Sequence, residues 1–208
     1  KVQGLLMKTA EFLHPEEIVR LKRSNTLAQI DLESFRFSFS PMILTVSDDN
    51  TANIWNAETG ELIRSFEGHT RAVESAVFSK DGGRVLTASS DSTSKLWNAE
   101  TGELIRCFEG HTHWVRSVVF SKDGDRILTA SYDNTAKLWS AETGELIRSF
   151  EGHDDNVRSA VFSKDGDRVL TASCDNTAKI WNVETGDLIR SFEGHTDFVK
   201  SVVFSKNE

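Results

Sequence analysis

"GHTHWVRSVVFSKDGDRILTASYDNTAKLWSAETGELIRSFEGH", residues 110–153, opens and closes on the same dipeptide. Gly-His stands at Gly68-His69, Gly110-His111, Gly152-His153 and Gly194-His195, and a Trp at Trp55, Trp97, Trp139 and Trp181; each set is 42 residues apart (111 − 69 = 42). A period of this length marks a stacked-repeat architecture, not a string of unrelated domains. Within the quoted unit four β-prone runs, residues 115–121, 126–131, 135–140 and 145–150, are separated by Asp123-Gly124, Asp133-Asn134 and Glu142-Thr143-Gly144, with Glu151-Gly152 after the last. Gly supplies the positive φ that tight turns demand, and Asp and Asn tolerate it. We call the runs a, b, c and d. Run a is apolar at Val115, Val118, Val119 and Phe120, which predicts an inner strand buried on both faces. Run d carries Glu145 and Arg148, as an outer edge strand does. Sheets this small do not stand alone, so the copies must stack side by side.

The Gly-His to Trp spacing resembles the WD40 family of β-propellers over residues 35–206 or so. The resemblance implies an all-β fold of WD40-type blades: four complete four-stranded antiparallel blades and a partial fifth, residues 199–205. It also implies a hydrogen-bonded network of His, Ser, Asp and Trp in each blade. The matching sets are His69, Ser89, Asp91 and Trp97; His111, Ser131, Asp133 and Trp139; and His153, Ser173, Asp175 and Trp181. A buried indole N–H needs an acceptor, and an Asp accepting from the His fixes its tautomer. The first copy keeps Ser47, Asp49 and Trp55 but has no His at the matching place, and Phe39-Ser40-Pro41 runs into Met42 without three turn residues. Two family features are replaced: the Asp after Trp by Asn56, Asn98, Ser140 and Asn182, and a hairpin Pro by Lys80, Lys122, Lys164 and Lys206. Asn also suits the entry to a turn, so the first change costs little. Four blades and a fragment would leave exposed edges. The expectation is therefore a chain cut from a longer array, with completion by further chains as the alternative.

Residues 1–34 read differently. Leu5, Leu6, Thr9, Phe12 and Leu13 suit an apolar helical stripe; Pro15-Glu16-Glu17 suits a helix start, and Arg20, Lys22 and Arg23 suit its later part. The expected domains are a short helical lead-in, 1–34, and the propeller blades, 35–208. The stretch "LLMKTAEFLHPEEIVRLKR", residues 5–23, loosely resembles the F-box, though the usual opening Leu-Pro is absent. The preferred reading is a helical lead-in.

The 208 residues carry a net charge of −8, which repels nucleic acid and anionic membrane surfaces. No apolar run reaches the roughly 18 residues that a membrane span needs, so no insertion is expected. Cys107 and Cys174 stand where sister copies have Ser, which reads as two free thiols in a reducing, intracellular compartment, cytoplasmic or nuclear. The sequence opens on Lys1, so a removed targeting segment and an organellar location stay open. The periodic His residues each lie beside their own Ser and Asp, and no paired-Cys or His-Glu-x-x-His spacing occurs. No metal, cofactor or catalytic residue is therefore expected; a catalytic triad is needed once, not once per blade. "ETGE" at 58–61, 100–103 and 142–145 resembles a short peptide ligand of a Kelch-type ubiquitin-ligase receptor, but within a c–d hairpin it reads as the turn.

The copies differ mainly in loops d–a and b–c. Just before strand a stand Ala72, Trp114, Asn156 and Phe198; two residues on come Glu74, Arg116, Arg158 and Lys200; before the network Asp come Asp48, Ser90, Tyr132 and Cys174. Loop residues Arg71, His113, Asp155 and Asp197 vary as well, while the "SKDG" and "ETG" turns of the other face hardly change. In WD40 proteins such places ring the top-face mouth. Drift would affect both faces and favour polar residues, whereas Trp, Tyr and Arg are enriched at interface hot spots. The reading is a non-enzymatic scaffold that binds a protein or peptide on this face through Asp48, Ala72, Glu74, Ser90, His113, Trp114, Arg116, Tyr132, Asn156, Arg158, Cys174, Phe198 and Lys200. The alternatives are a substrate receptor of an F-box-type ubiquitin ligase and a structural subunit that self-associates through its blade edges.

Overall fold

A computed structural model describes residues 41–205. The expectations placed on residues 1–34, both the helical lead-in and the F-box likeness, lie outside the described residues. Among the described residues fifteen strands form four antiparallel meanders. The first is β1 (Met42–Val46), β2 (Ala52–Asn56) and β3 (Leu62–Phe66). The second is β4 (Val73–Phe78), β5 (Arg84–Ser89), β6 (Ser94–Asn98) and β7 (Leu104–Phe108). The third is β8 (Val115–Phe120), β9 (Arg126–Ser131), β10 (Ala136–Ser140) and β11 (Leu146–Phe150). The fourth is β12 (Val157–Phe162), β13 (Arg168–Ser173), β14 (Ala178–Asn182) and β15 (Leu188–Phe192). The first sheet is three-stranded among the described residues. The expected strand at 199–205 pairs with no strand there, because no second strand lies beside it.

Each turn follows from its residues. In the a–b turn the Ser121 hydroxyl donates to Asp123 Oδ1 at 2.5 Å and accepts the Arg126 N–H at 2.9 Å, tying both hairpin ends to one oxygen. In the c–d turn Asn98 Oδ1 accepts the N–H groups of Glu100 and Thr101, both at 2.9 Å. This is why Asn serves where the family has Asp: the position needs an acceptor, not a charge. Ser140 fills it with one such bond, from Thr143 N–H at 3.1 Å. Glu100-Thr101-Gly102 is thus the turn itself.

The apolar core lies between sheets. Leu86, Ala88, Leu96 and Phe108 of the second sheet bury against Val115, Val118, Ile127 and Trp139 of the third. Phe66 meets Trp97 with ring centroids 5.7 Å apart, Phe108 meets Trp139 at 5.9 Å, and Phe150 meets Trp181 at 6.0 Å. At such a junction Gly110, at φ +142°, leaves a Cβ position only 3.1 Å from the Trp139 ring, so the indole closes over bare backbone. Arg106 reaches from β7 to the Thr143 carbonyl of the next sheet at 3.1 Å, and Arg148 to Thr185 O at 3.1 Å. The most buried strands are β5, β9 and β13, not the run-a strands expected to be buried on both faces. Strand b has a strand on each side, and β5 and β9 have a sheet on each face. Strand a is an edge of its sheet, so β8 buries Val115 and Val118 but leaves Val119 and Phe120 half-buried.

Candidate functional site

The d–a and b–c loops stand on a polar network beneath them. In the third sheet Trp139 Nε1 donates to Thr129 Oγ1 at 3.0 Å, Thr129 Oγ1 lies 2.6 Å from His111 Nε2, and His111 Nδ1 lies 2.6 Å from Asp133 Oδ2. An indole N–H only donates, so the Thr129 hydroxyl accepts there; with its proton turned to His111 Nε2, the nearer acceptor at 2.6 Å against 3.3 Å for the Lys137 carbonyl, Nδ1–H faces the carboxylate. Every group is satisfied with a neutral imidazole. The sets Trp97–Thr87–His69–Asp91 and Trp181–Thr171–His153–Asp175 repeat this arrangement.

The hydroxyl in each network is therefore Thr87, Thr129 or Thr171, not the expected Ser89, Ser131 or Ser173. Ser131 stands one step nearer the loops, donating to the His113 carbonyl at 3.0 Å and accepting the Asp133 N–H at 3.1 Å. Ser89 and Ser173 do the same with Arg71 and Asp155. Trp139 pairs with Ile127, so Thr129 is the next residue on that face and Ser131 lies two further on, about 7 Å beyond at the usual strand rise. In the first sheet Trp55 Nε1 donates to Thr45 Oγ1 at 2.8 Å, and no His completes the set among the described residues.

Burial pushes His111 and His153 below the ordinary imidazole range, against the pull of Asp133 and Asp175. The aspartates shift down: burial opposes ionisation, but bonds from the His ring, the adjacent Thr side chain and backbone N–H groups outweigh it, and Asp175 falls to about 2. Asp133 Oδ2 also accepts Thr112 N–H at 3.1 Å, and Oδ1 accepts Thr135 N–H at 3.0 Å. One carboxylate thus fixes both variable loops.

The variable positions are coupled. A single backbone bond joins the position before strand a to the one before the network Asp: Ser90 N–H to Ala72 O, Tyr132 N–H to Trp114 O, and Cys174 N–H to Asn156 O, at 2.8–2.9 Å. Glu74, Arg116 and Arg158 are each the extra residue of a β-bulge on strand a, since the ladder passes from Val115–Ser131 to Ser117–Ala130. A bulge re-aims its side chain without a cross-strand partner.

Trp114 and Tyr132 stack at 5.9 Å with 20° between ring planes, and His113 lies 5.6 and 6.1 Å from them. Arg71 covers the Trp114 ring at 5.7 Å and Arg158 covers Tyr132 at 5.9 Å, giving a row Arg–Trp–Tyr–Arg drawn from three consecutive sheets. Trp114 and Tyr132 stay half-buried, and Arg71 is exposed. Arg71 is absent from the expected binding residues; its variation among copies was the available signal. Beside the row, Arg116 Nη1 pairs with Glu74 Oε2 at 2.6 Å and Ser90 donates to Glu74 Oε1 at 2.6 Å, so these three hold one another. Ser90 and Cys174 are 4% and 6% exposed and are not rim residues: their loops fold them beneath residues 72–74 and 156–158. Ala72 and Asn156 are half-buried; Asp48, Phe198 and Lys200 are exposed, outside the aromatic row.

Cys107 and Cys174 are both free thiols. Among the described residues no cluster of three or more metal-capable side chains occurs, and no helix is long and apolar enough to cross a membrane. Comparison with curated proteins gave no match. The family model for the WD domain, G-beta repeat, matches residues 60–98, 102–140, 144–182 and 186–208. Repeats of this kind build protein-interaction scaffolds in general, and with two-thirds of its length covered by four of them the chain belongs to the WD40 family.

Proposed function

We propose that this chain binds a protein or peptide partner on the face carrying the d–a and b–c loops, centred on Trp114 and Tyr132. The observation that carries the reading is the Arg71–Trp114–Tyr132–Arg158 row, two half-exposed aromatic rings held in place by side chains from three sheets. Rings locked in one arrangement lose little rotamer freedom on contact, which is how a rigid scaffold gains affinity. Trp and Arg are also the residue types that dominate interface energetics. The binding residues proposed are Arg71, His113, Trp114, Tyr132 and Arg158, with Arg116 held beside them by Glu74.

The test is a peptide-display selection on the intact chain, followed by affinity measurements on the selected peptides. Trp114→Ala is expected to weaken them at least about fivefold, since about 1 kcal/mol is that factor. Lys122→Ala and Lys164→Ala, in turns of the opposite face, are expected to change nothing. Peptides that bind Trp114→Ala as well as the native chain refute the reading.

A further inference from the structure

Resting on the reading of this face as a peptide-binding surface, we propose that the segment it takes is acidic: two carboxylate side chains, at most about five residues apart, on either side of an apolar one. The aromatic row ends in cations that no carboxylate among the described residues neutralises. The ion pairs there are His69–Asp91, His111–Asp133, His153–Asp175, Arg116–Glu74 and Arg168–Asp165, and neither Arg71 nor Arg158 is in one. Arg71 rests over Trp114 at 5.7 Å. Arg158 rests over Tyr132 at 5.9 Å, with Nη1 donating to the Cys174 thiol at 3.8 Å. Two acidic side chains of the same loops are engaged elsewhere: Asp155 accepts the Asn156 N–H at 2.7 Å, and Glu74 holds Arg116 and Ser90.

Covering the rings means covering the cations. The guanidinium groups lie 5.7 and 5.9 Å from the ring centres, so a ligand laid over Trp114 and Tyr132 strips water from both. A cation that loses its water without gaining a partner is heavily penalised. A carboxylate removes that penalty, because it meets the guanidinium fork with two charge-assisted bonds. The half-buried rings between the arginines give an apolar side chain its contact. The spacing follows from the row itself. Successive centres at 5.7, 5.9 and 5.9 Å bound it at about 17.5 Å, the reach of roughly five extended residues. A nucleic acid fits the row less well. The ring faces meet each other and the two guanidinium groups, which leaves a base little to stack on. A chain of net charge −8 also repels a phosphate backbone at long range.

Peptides selected from a random display library on the native chain, then synthesised and titrated by fluorescence anisotropy, decide the matter. Asp or Glu is expected on both sides of an apolar residue, within that spacing. Changing either peptide acid to its amide, or making Arg71→Gln or Arg158→Gln in the chain, is expected to weaken binding about three- to fivefold. The two losses belong to one pair, so on the matching arginine variant the peptide amide is expected to cost nothing further. An arginine that merely props the rings leaves the full amide loss on the variant, and that result overturns the proposal. Arg71 is exposed, so Arg71→Gln keeps the fold whatever Arg158→Gln does. Peptides that need Trp114 but carry no acids, or are indifferent to both arginine variants, overturn this inference while the peptide-binding reading stands. Peptides indifferent to Trp114→Ala overturn that reading and this inference with it. Displacement of the selected peptides by an equal concentration of single-stranded oligothymidylate overturns the choice of a peptide over a nucleic acid.

Discussion

Replacing Thr129 by Val deletes one hydroxyl and keeps the β-branched shape. Thr129 is fully buried, and its oxygen serves Trp139 Nε1 at 3.0 Å and His111 Nε2 at 2.6 Å. The variant strands an indole N–H and an imidazole nitrogen in residues only 2% and 8% exposed. Each orphaned buried group costs about 1–3 kcal/mol, while the new methyl returns at most about 0.8 kcal/mol through apolar burial. The expected net loss is about 1–5 kcal/mol. Ser131 is buried as well, but its bonds go to the His113 carbonyl and Asp133 N–H of part-buried loops and not to groups of the inter-sheet core, so Ser131→Ala is expected to cost about 1 kcal/mol. Thr129→Ser keeps the hydroxyl and should stay within about 1 kcal/mol of native. Urea unfolding at constant m gives the ordering. Because repeat arrays can unfold in parts, hydrogen exchange of β9 and β10 amides checks it locally. A Ser131→Ala loss equal to or above that of Thr129→Val refutes the reasoning and returns the network to the serine.

Four further outcomes are expected. Trp139→Ala should cost about 3–5 kcal/mol by denaturant titration and Trp114→Ala under about 1 kcal/mol, since only the first fills an inter-sheet core. Gly110→Ala should lose about 1–3 kcal/mol, because φ +142° strains any L side chain and the Trp139 ring blocks its Cβ. Ser92→Asn should stabilise by about 0.5 kcal/mol: φ is 69° there, and Asn50, Asn134 and Asn176 hold the same conformation in sister turns. Stability should also fall with acid in two stages. His111 and His153 titrate below their unfolded value in the fold, so the unfolded state binds more protons as pH drops below about 6.5. Asp175, held at about 2, adds stability above about pH 4 that is lost as pH falls toward 2. A denaturation midpoint that rises between pH 7 and pH 5 contradicts the first stage.

The period of 42 residues made the strands, turns and inter-sheet Trp legible, because each turn carries its own Gly, Asn or Asp. The choice between Thr129 and Ser131 was not legible. Residues two apart in a strand share a face, so "LTAS" offers two equivalent hydroxyls until the Trp139–Ile127 pairing selects the nearer. Comparing copies found Trp114, Tyr132 and Arg158, since unlike residues stand out against identical scaffolds. It placed Ser90 and Cys174 among them too, because variation marks a position as unconstrained by the repeat without saying which way its side chain turns. Arg71 was passed over for a related reason: its partner, Trp114, belongs to another copy and is 43 residues away (114 − 71 = 43).

The bulge at Glu74, Arg116 and Arg158 gives these positions an independence the rest of strand a lacks. A residue outside the backbone pairing of the ladder can be exchanged while the ladder on either side keeps its register, although its side-chain contacts, such as those of Glu74 with Arg116 and Ser90, change with it. The second, third and fourth sheets therefore each carry one interchangeable socket on an otherwise fixed frame. A saturation library at the three sockets should yield surfaces with different preferences and nearly identical melting behaviour, whereas the same library one residue earlier, at Val73, Val115 and Val157, should yield mostly unfolded chains.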